Sequence, residues 1–527
     1  MISSVVIFGP ADAGKSTLIG RLHSQRHPHL AEKTREEIIK SGLPYDPAQK
    51  YAYLTDRYKD ERGERKDIQG SGNTRYMKYL KIDIHVQSNN IQIILIDTPG
   101  AQHVERERYK GTFFGDAGIF VIEFNSAQQS LRQLLARSDQ VSEFLAPLMS
   151  WVTIKPNAPF CIVLSKADTC ADAKVGAATL EEMRSKIPTL LPGNSLVHIL
   201  PTAIDLKSGS SFNVFSDDHK PSWYDGPSLV EVIERQLIRT RTAPPTAHLM
   251  MPIVRAIPPR TGFGRIYEGK VLSGALADGD AVILAPVDAD NSETKVTAHV
   301  RAIFETGHDT GPQPRIPFAR AGDIVGVALN KTSSKFETTR STVIIGQNQR
   351  AYRGTIILVQ LPSEPPEDLE LLTSVTIVWL GRLIAGRVIG ICRQGNQPRY
   401  YLEATKEEFV VPGVPSQDAG TSELALGEVY FRGPHKKLIS ARLCDVGRLL
   451  YFDLRDSDLI RYLRQNLAAF GALGFDMHFD APDRSRVRSG TTGLEMVSRL
   501  LKTDEITRRP SREQEKLICP VIERVEL

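Results

Sequence analysis

Gly9-Pro10-Ala11-Asp12-Ala13-Gly14-Lys15-Ser16 is the stretch that decides the fold of this 527-residue chain. The octet fits GxxxxGK[ST], and it stands between the apolar run Val5-Val6-Ile7-Phe8 and the helix-like Thr17-Leu-Ile-Gly-Arg-Leu22. Strand, glycine loop and helix in that order make a phosphate cradle. The glycines let consecutive backbone N–H groups wrap a phosphate, a lysine at position 15 meets the β- and γ-phosphates, and a Ser16 hydroxyl faces magnesium. Ala13, Gly14, Lys15, Ser16 and Thr17 are therefore the expected phosphate-binding residues.

Two further motifs follow at the ends of apolar strands. Asp97-Thr98-Pro99-Gly100 closes the run Ile91 to Ile96. A carboxylate there can hold magnesium through water, and the Gly100 N–H can sense a γ-phosphate because no side chain blocks the approach. Ser165-Lys166-Ala167-Asp168 ends the run Cys161 to Leu164 and corresponds to NKxD with Ser in the Asn position. Asp168 suits the guanine N1 and N2 donors, the Lys166 stem covers the base, and Ser165 completes the set. Thr202-Ala203 follows the next strand, Val197 to Leu200, where a backbone N–H reads the guanine O6. GTP and GDP with Mg2+ are the ligands these motifs imply.

Bulk properties bound the rest. The net charge is +4 from 66 basic and 62 acidic residues, so composition alone does not announce a nucleic-acid binder. Cys161, Cys170, Cys392, Cys444 and Cys519 are scattered without a CxxC pair or histidines at ligand spacing, which reads as reduced thiols and no zinc site. Met1 to Gly9 is too short and lacks the basic flank of a signal peptide, and no apolar run reaches membrane-spanning length. A cytoplasmic protein without membrane or DNA partners is the expectation.

Up to about residue 241, β-branched runs alternate with helical stretches, which argues for a parallel sheet with helices on both faces. Beyond Arg241-Thr-Ala-Pro-Pro-Thr246 the pattern changes to short alternating runs broken by Gly and Pro, such as Gly264-Arg-Ile-Tyr-Glu-Gly-Lys-Val271 and Ala281-Val-Ile-Leu-Ala-Pro286. A second such region starts after Gly346-Gln-Asn-Gln-Arg350, with strands expected at Thr355 to Leu361 and Val375 to Leu380. Helical spacing returns in Leu459-Ile-Arg-Tyr-Leu-Arg464 and Leu494 to Leu501. The expected architecture is an α/β P-loop GTPase domain over 1–241, β-barrel domains over 242–347 and 348–456, and a small mixed α/β extension over 457–527.

Gly9 to Leu22, Lys50-Tyr-Ala-Tyr-Leu-Thr-Asp-Arg-Tyr-Lys-Asp-Glu-Arg-Gly63 and Trp223-Tyr-Asp-Gly-Pro-Ser-Leu229 resemble elongation factor 1-alpha and elongation factor Tu. The first is also similar to the GTPase subunit of sulfate adenylyltransferase. Thr261-Gly-Phe-Gly-Arg-Ile266, Asp278-Gly-Asp280 and Ala321-Gly-Asp-Ile-Val-Gly326 extend the likeness into a second domain, and Gly447 to Arg455 resembles the family's closing strand. The resemblance implies GTP hydrolysis, with Asp12 holding K+ beside the β/γ bridge, and a tRNA, ribosome or protein-complex partner.

Three positions depart from the family. Ala101 stands where the family has the histidine that positions the attacking water, and His103 lies two residues on as the catalytic candidate beside Asp12, Lys15 and Gly100. Arg65 occupies the place of the switch I threonine, which moves the expectation to Thr74 as magnesium ligand with Ser16 and Asp97. The third-domain segment CHTAH has no counterpart. These departures imply slow hydrolysis unless a partner completes the site, and they keep two alternatives open. One is a regulatory GTPase subunit of an adenylyltransferase-type complex; the other is a nucleotide-gated interaction protein with negligible turnover. His435-Lys-Lys437, Arg484-Ser-Arg-Val-Arg488 and Arg508-Arg509 read chiefly as solvated surface.

Overall fold

The computed structural model describes residues 3–26, 28–40, 51–52, 78–86, 89–99, 105–127, 145–170, 172–190, 197–205, 210–238, 248–260, 264–286, 296–306, 314–330, 342–361, 369–370, 373–392, 398–405, 409–415, 422–424, 428–433, 438–453, 475–477, 516–523 and 525–526. Its first element, strand β1 (Ser3–Phe8), runs through the glycine loop into helix α1 (Lys15–Arg26) and helix α2 (Pro28–Lys40). Strands β2 (Lys78–Val86) and β3 (Asn89–Asp97) follow, then helix α3 (Glu105–Phe114) and strand β4 (Ala117–Glu123). Helix α4 (Ala146–Ile154), strand β5 (Phe160–Ser165), helix α5 (Ala173–Leu190) and strand β6 (His198–Pro201) complete the sheet layer.

The sheet order is β2-β3-β1-β4-β5-β6. β3, β1, β4, β5 and β6 are parallel, as the alternating pattern predicts, but β2 pairs antiparallel with β3, Lys78 opposite Asp97. The correction has a simple cause. Residues 87 and 88 leave too short a connection for the crossover that parallel neighbours need. β5 is buried at all six positions, the signature of a sheet covered on both faces. One cover is α4, whose Trp151 stacks on Phe8 with ring centroids 5.1 Å apart. Gly118 makes room for that indole, since a Cβ there would lie 2.8 Å from the Trp151 ring. The parallel order places a topological switch between β1 and β4, where the loops after them diverge.

Two closed six-stranded barrels follow. In the first the order is Ala281–Pro286, Thr342–Gly346, Met250–Arg260, Gly264–Lys270, Ile324–Asn330 and Val296–Glu305, and the last pairs back on the first. In the second it is Ile356–Gln360, Arg399–Ala404, Arg382–Cys392, Ser374–Trp379, Glu428–Arg432 and Leu438–Asp453, which again returns to the first. Closure removes the free edges that such short strands would otherwise expose. Lys516–Glu523 pairs antiparallel with Leu438–Asp453, so a strand of the expected extension is built onto the second barrel's sheet. The helix-like segments at 459–464 and 494–501 lie outside the described residues.

The chain divides into two compact units. Met1–Thr246, Val254–Asp278 and Val300–Leu329 form one; Ala247–Ile253, Gly279–His299 and Asn330–Leu527 form the other. The first barrel contributes to both. Among the described residues no helix is long and apolar enough to cross a membrane.

Candidate nucleotide site

The glycine loop begins where β1 ends, beside β4. Gly9 has φ 148°, and a Cβ on it would lie 2.0 Å from the Val121 carbonyl oxygen, so no other residue allows the loop to leave the sheet this closely. Asp12 and Gly14 both adopt positive φ, 58° and 82°, which turns the loop back towards α1. An added Cβ at Gly14 would meet open space, so Gly14 serves the backbone turn rather than close packing. Lys15 starts α1, is buried, and its Nζ donates to the Pro10 carbonyl at 2.5 Å across the loop. The Leu18 N–H closes the first helical turn on the Gly14 carbonyl at 2.9 Å, while Thr17 sits half-buried in that turn. A loop that ends in a helix N-terminus, with a buried lysine spanning it, fits an anionic phosphate group.

The second motif meets the first. Register Ile7 opposite Asp97 in the β1–β3 pair brings the Asp97 carboxylate to the loop, where the Ser16 hydroxyl donates to its Oδ2 at 2.9 Å. Asp97 is fully buried, and Thr98 next to it donates through its hydroxyl to the Ile7 carbonyl at 2.8 Å, which pins the strand end. A hydroxyl and a carboxylate are the hard oxygen donors that magnesium accepts. Gly100, Ala101 and His103 lie outside the described residues, as does Thr74.

The third motif joins on the other side. Ser165 is buried and its hydroxyl donates to the Ala13 carbonyl at 2.7 Å, with the Ile122 carbonyl at 3.3 Å, so it ties the end of β5 to the phosphate loop. Lys166 takes a left-handed conformation with φ 54° and pairs with Glu123 at 3.2 Å. Asp168 stands exposed in a single 3₁₀ turn, Ala167–Thr169, at the mouth of the site. The Ala167 N–H donates to the Thr202 carbonyl at 3.0 Å and the Thr202 N–H to the Leu164 carbonyl at 2.8 Å, which sets Thr202-Ala203 beside the Asp168 turn. Cys161, fully buried in β5, has its thiol pushed far above the ordinary range by burial and stays protonated.

Ala13, Lys15, Ser16, Asp97, Ser165, Asp168 and Thr202 therefore converge from separate segments on the C-terminal ends of β1, β3, β5 and β6. Asp12 is exposed. Motif reading overlooks Glu123 and Val121. The signal for both is positional: Glu123 lies opposite Ser165 in the β4–β5 register, which becomes visible only once those two strands are recognised as neighbours.

The family model for the elongation factor Tu GTP binding domain matches residues 1–259. Residues 1–259 form a GTP-binding domain of the translation-factor GTPase superfamily. Elongation factor 1-alpha of Methanocaldococcus jannaschii is 27% identical to this chain over 339 residues, covering 63% of this chain and 69% of that protein. The Methanococcus maripaludis C7 protein of the same name is 26% identical over 352 residues, 65% of this chain and 76% of its own. Among solved structures, the GTP-bound GTPase-like domain of Saccharomyces cerevisiae Ski7 superposes with a TM-score of 0.65 at 16% identity, covering 84% of this chain and 97% of that one. A bacterial selenocysteine-specific elongation factor gives 0.51 at 15% identity, over 89% of this chain and 62% of that one. At such identities the structural likeness speaks for the fold alone. The match to a GTP binding domain supports guanine-nucleotide binding by residues 1–259.

Proposed function

We propose that this protein is a divergent, partner-activated translation-factor GTPase that engages tRNA, the ribosome or another macromolecular complex in its GTP state. The carrying observation is the 2.9 Å contact between the Ser16 hydroxyl and the Asp97 carboxylate, which sets two oxygen donors suited to Mg2+ beside the phosphate loop. In this reading Lys15 holds the β- and γ-phosphates, Ser16 with Asp97 and Thr74 holds the metal, and Asp168 with Lys166 selects guanine. Held by these oxygen donors, magnesium would supply neutralising charge to the phosphates. The family resemblance assigns Asp12, an exposed residue of the phosphate loop, to K+, which would add a second positive charge there.

Hydrolysis depends on a positioned water, and Ala101 has no group to position it. His103 or a partner's own group supplies the missing function. Either source adds on the order of 10³-fold or more to the rate. The test is GTP turnover by the purified protein alone, with ribosomes, and with the partners retained by a GTP-locked form. Stimulated turnover supports the proposal. Co-purification with an adenylyltransferase moves the function to metabolism, and tight GTP binding without turnover under every condition makes the protein a nucleotide-gated adaptor.

A further inference from the structure

Ser165 is the last residue of β5 and is only 8% exposed. Its hydroxyl lies 2.7 Å from the Ala13 carbonyl oxygen and 3.3 Å from that of Ile122, so both of its partners are acceptors. A hydroxyl has one proton to give. The shorter contact takes it and leaves the oxygen with lone pairs alone. Both carbonyls are held in place. Ile122 is fully buried in β4, where it pairs with Leu164 beside Ser165. Ala13 is buried between Asp12 and Gly14, whose positive φ values fix the course of the loop. Turning the proton elsewhere would set the Ser165 oxygen against the Ala13 oxygen with no hydrogen between them, which costs more than a neutral hydrogen bond returns.

Ser165 stands between the phosphate loop and the base turn. It touches the loop through Ala13, and Lys166 with the Asp168 turn follows directly, tied by the Ala167 N–H to the Thr202 carbonyl at 3.0 Å. In the proposed function, on which this inference rests, Asp168 takes the guanine N1 and N2 donors, and Thr202-Ala203 lies by O6. N7 is the next polar atom round the base from O6, and it is an acceptor. A purine held by those contacts, with its phosphates in the loop, turns N7 towards the end of β5. Reading it requires a donor there, and the Ser165 hydroxyl has spent its only proton.

We infer that residue 165 decides whether N7 of the base is read, and that serine leaves it unread. Recognition is then confined to N1, N2 and O6. The site takes guanine nucleotides with C–H at position 7 as readily as those with nitrogen, because a C–H facing the serine oxygen meets lone pairs that an N7 lone pair would only repel. An amide at position 165 carries two N–H donors, enough to keep the Ala13 carbonyl and to reach N7 as well.

The test is displacement of a fluorescent GDP from the full-length protein by GDP and by 7-deaza-GDP, in the native form and in Ser165→Ala and Ser165→Asn. In the native protein 7-deaza-GDP should bind at least as tightly as GDP, to within about 2-fold, and Ser165→Ala should show the same ratio of the two affinities. Ser165→Asn should shift that ratio towards GDP by about 3-fold or more, the size of one neutral hydrogen bond. A native preference for GDP that Ser165→Ala abolishes overturns the inference, since the hydroxyl would then be reading N7. An unshifted ratio in a Ser165→Asn variant that binds nucleotide overturns it too, because N7 would not face this position. Should Ser165→Asn fail to fold, the native and Ser165→Ala ratios decide alone. ADP bound as tightly as GDP would sink the guanine reading by itself, and ADP against 7-deaza-ADP would still decide the role of Ser165. Binding of no purine nucleotide would overturn the inference together with the proposed function.

Discussion

Strand β5 of the sheet domain and the barrel strand Val296–Glu305 are built on different rules, and the contrast locates the chemistry. β5 is buried at every position from Phe160 to Ser165, whereas the barrel strand alternates buried Ala298, Val300 and Ala302 with exposed Thr297, His299 and Arg301. A strand covered on both faces can present polar groups only at its ends, so Ser165 and the Asp168 turn cluster with the loops after β1 and β3. A barrel strand presents polar groups along its whole outer face and needs no local motif. Substitutions should therefore be severe and position-specific in the first region and graded in the second.

The largest effect tests close packing. Gly9→Ala forces a Cβ to within 2.0 Å of the Val121 carbonyl oxygen, so β1 and β4 must separate; the expected loss of stability is about 3 kcal/mol or more. Gly279 in a barrel turn also has positive φ, 89°, but an added Cβ meets nothing within 4 Å, so Gly279→Ala should cost only the backbone strain, about 1–2 kcal/mol. Denaturant midpoints of the two variants provide the comparison. Equal losses would mean that the loop can leave the sheet in another way.

Next comes the phosphate contact. Lys15→Ala removes the buried ammonium that spans the loop, and GTP affinity should fall on the order of 100-fold while the denaturant midpoint changes far less than in Gly9→Ala. Thr297→Ala on the exposed barrel face should leave both quantities unchanged within about 0.5 kcal/mol. Unaltered nucleotide affinity in Lys15→Ala, by titration calorimetry, would remove this residue from the site.

The same contrast explains what the sequence makes legible. The glycine loop, Asp97 and the Ser165 motif are contiguous strings whose spacing from apolar strands announces them, and the structure brings them together as those strings imply. Glu123 and Val121 escape such reading because each owes its place to strand neighbours. Strand β2 (Lys78–Val86) is missed altogether, and even a recognised alternating run would show that a strand exists but not the direction of its neighbour. The closed barrels follow from short, glycine-punctuated strands, but the capture of Lys516–Glu523 by Leu438–Asp453 depends on a pairing that no local pattern encodes.

Smaller effects separate base selection from loop support. Asp168→Asn should shift preference from guanine towards xanthine nucleotide by roughly 10-fold or more, since each misplaced hydrogen bond costs about 1–3 kcal/mol. Ser165→Ala loses the 2.7 Å bond to the Ala13 carbonyl and should weaken all nucleotides alike, by about 5-fold to 10-fold. Competition binding with GTP, XTP and ATP distinguishes the two patterns. A Ser165→Ala variant that changes base preference instead would make Ser165 part of base recognition.

The smallest effect is a pH dependence confined to the sheet domain. His198 at the start of β6 has its pKa lowered from the ordinary 6.5, first by burial and then by the nearby Arg184 charge, and its Nε2 meets the Gln236 amide. In the barrel the shifted groups move the other way. Burial, helped by the hydrogen bond and charge of Glu428, raises Tyr430, and burial raises Cys444. With a folded pKa below the unfolded value, the folded state binds fewer protons between the two, so stability rises with pH across that interval. The contribution of His198 is thus fully present above about pH 6.5 and is lost as pH falls through the folded value. Tyr430 and Cys444 stay protonated throughout that range and contribute no slope. Thermal unfolding between pH 7.5 and 5.5 should show a decline that His198→Gln flattens. Because His198 is only half-buried, solvent screening keeps the difference below about 1 kcal/mol. A variant whose slope matches the native protein would assign the acid sensitivity to groups other than His198.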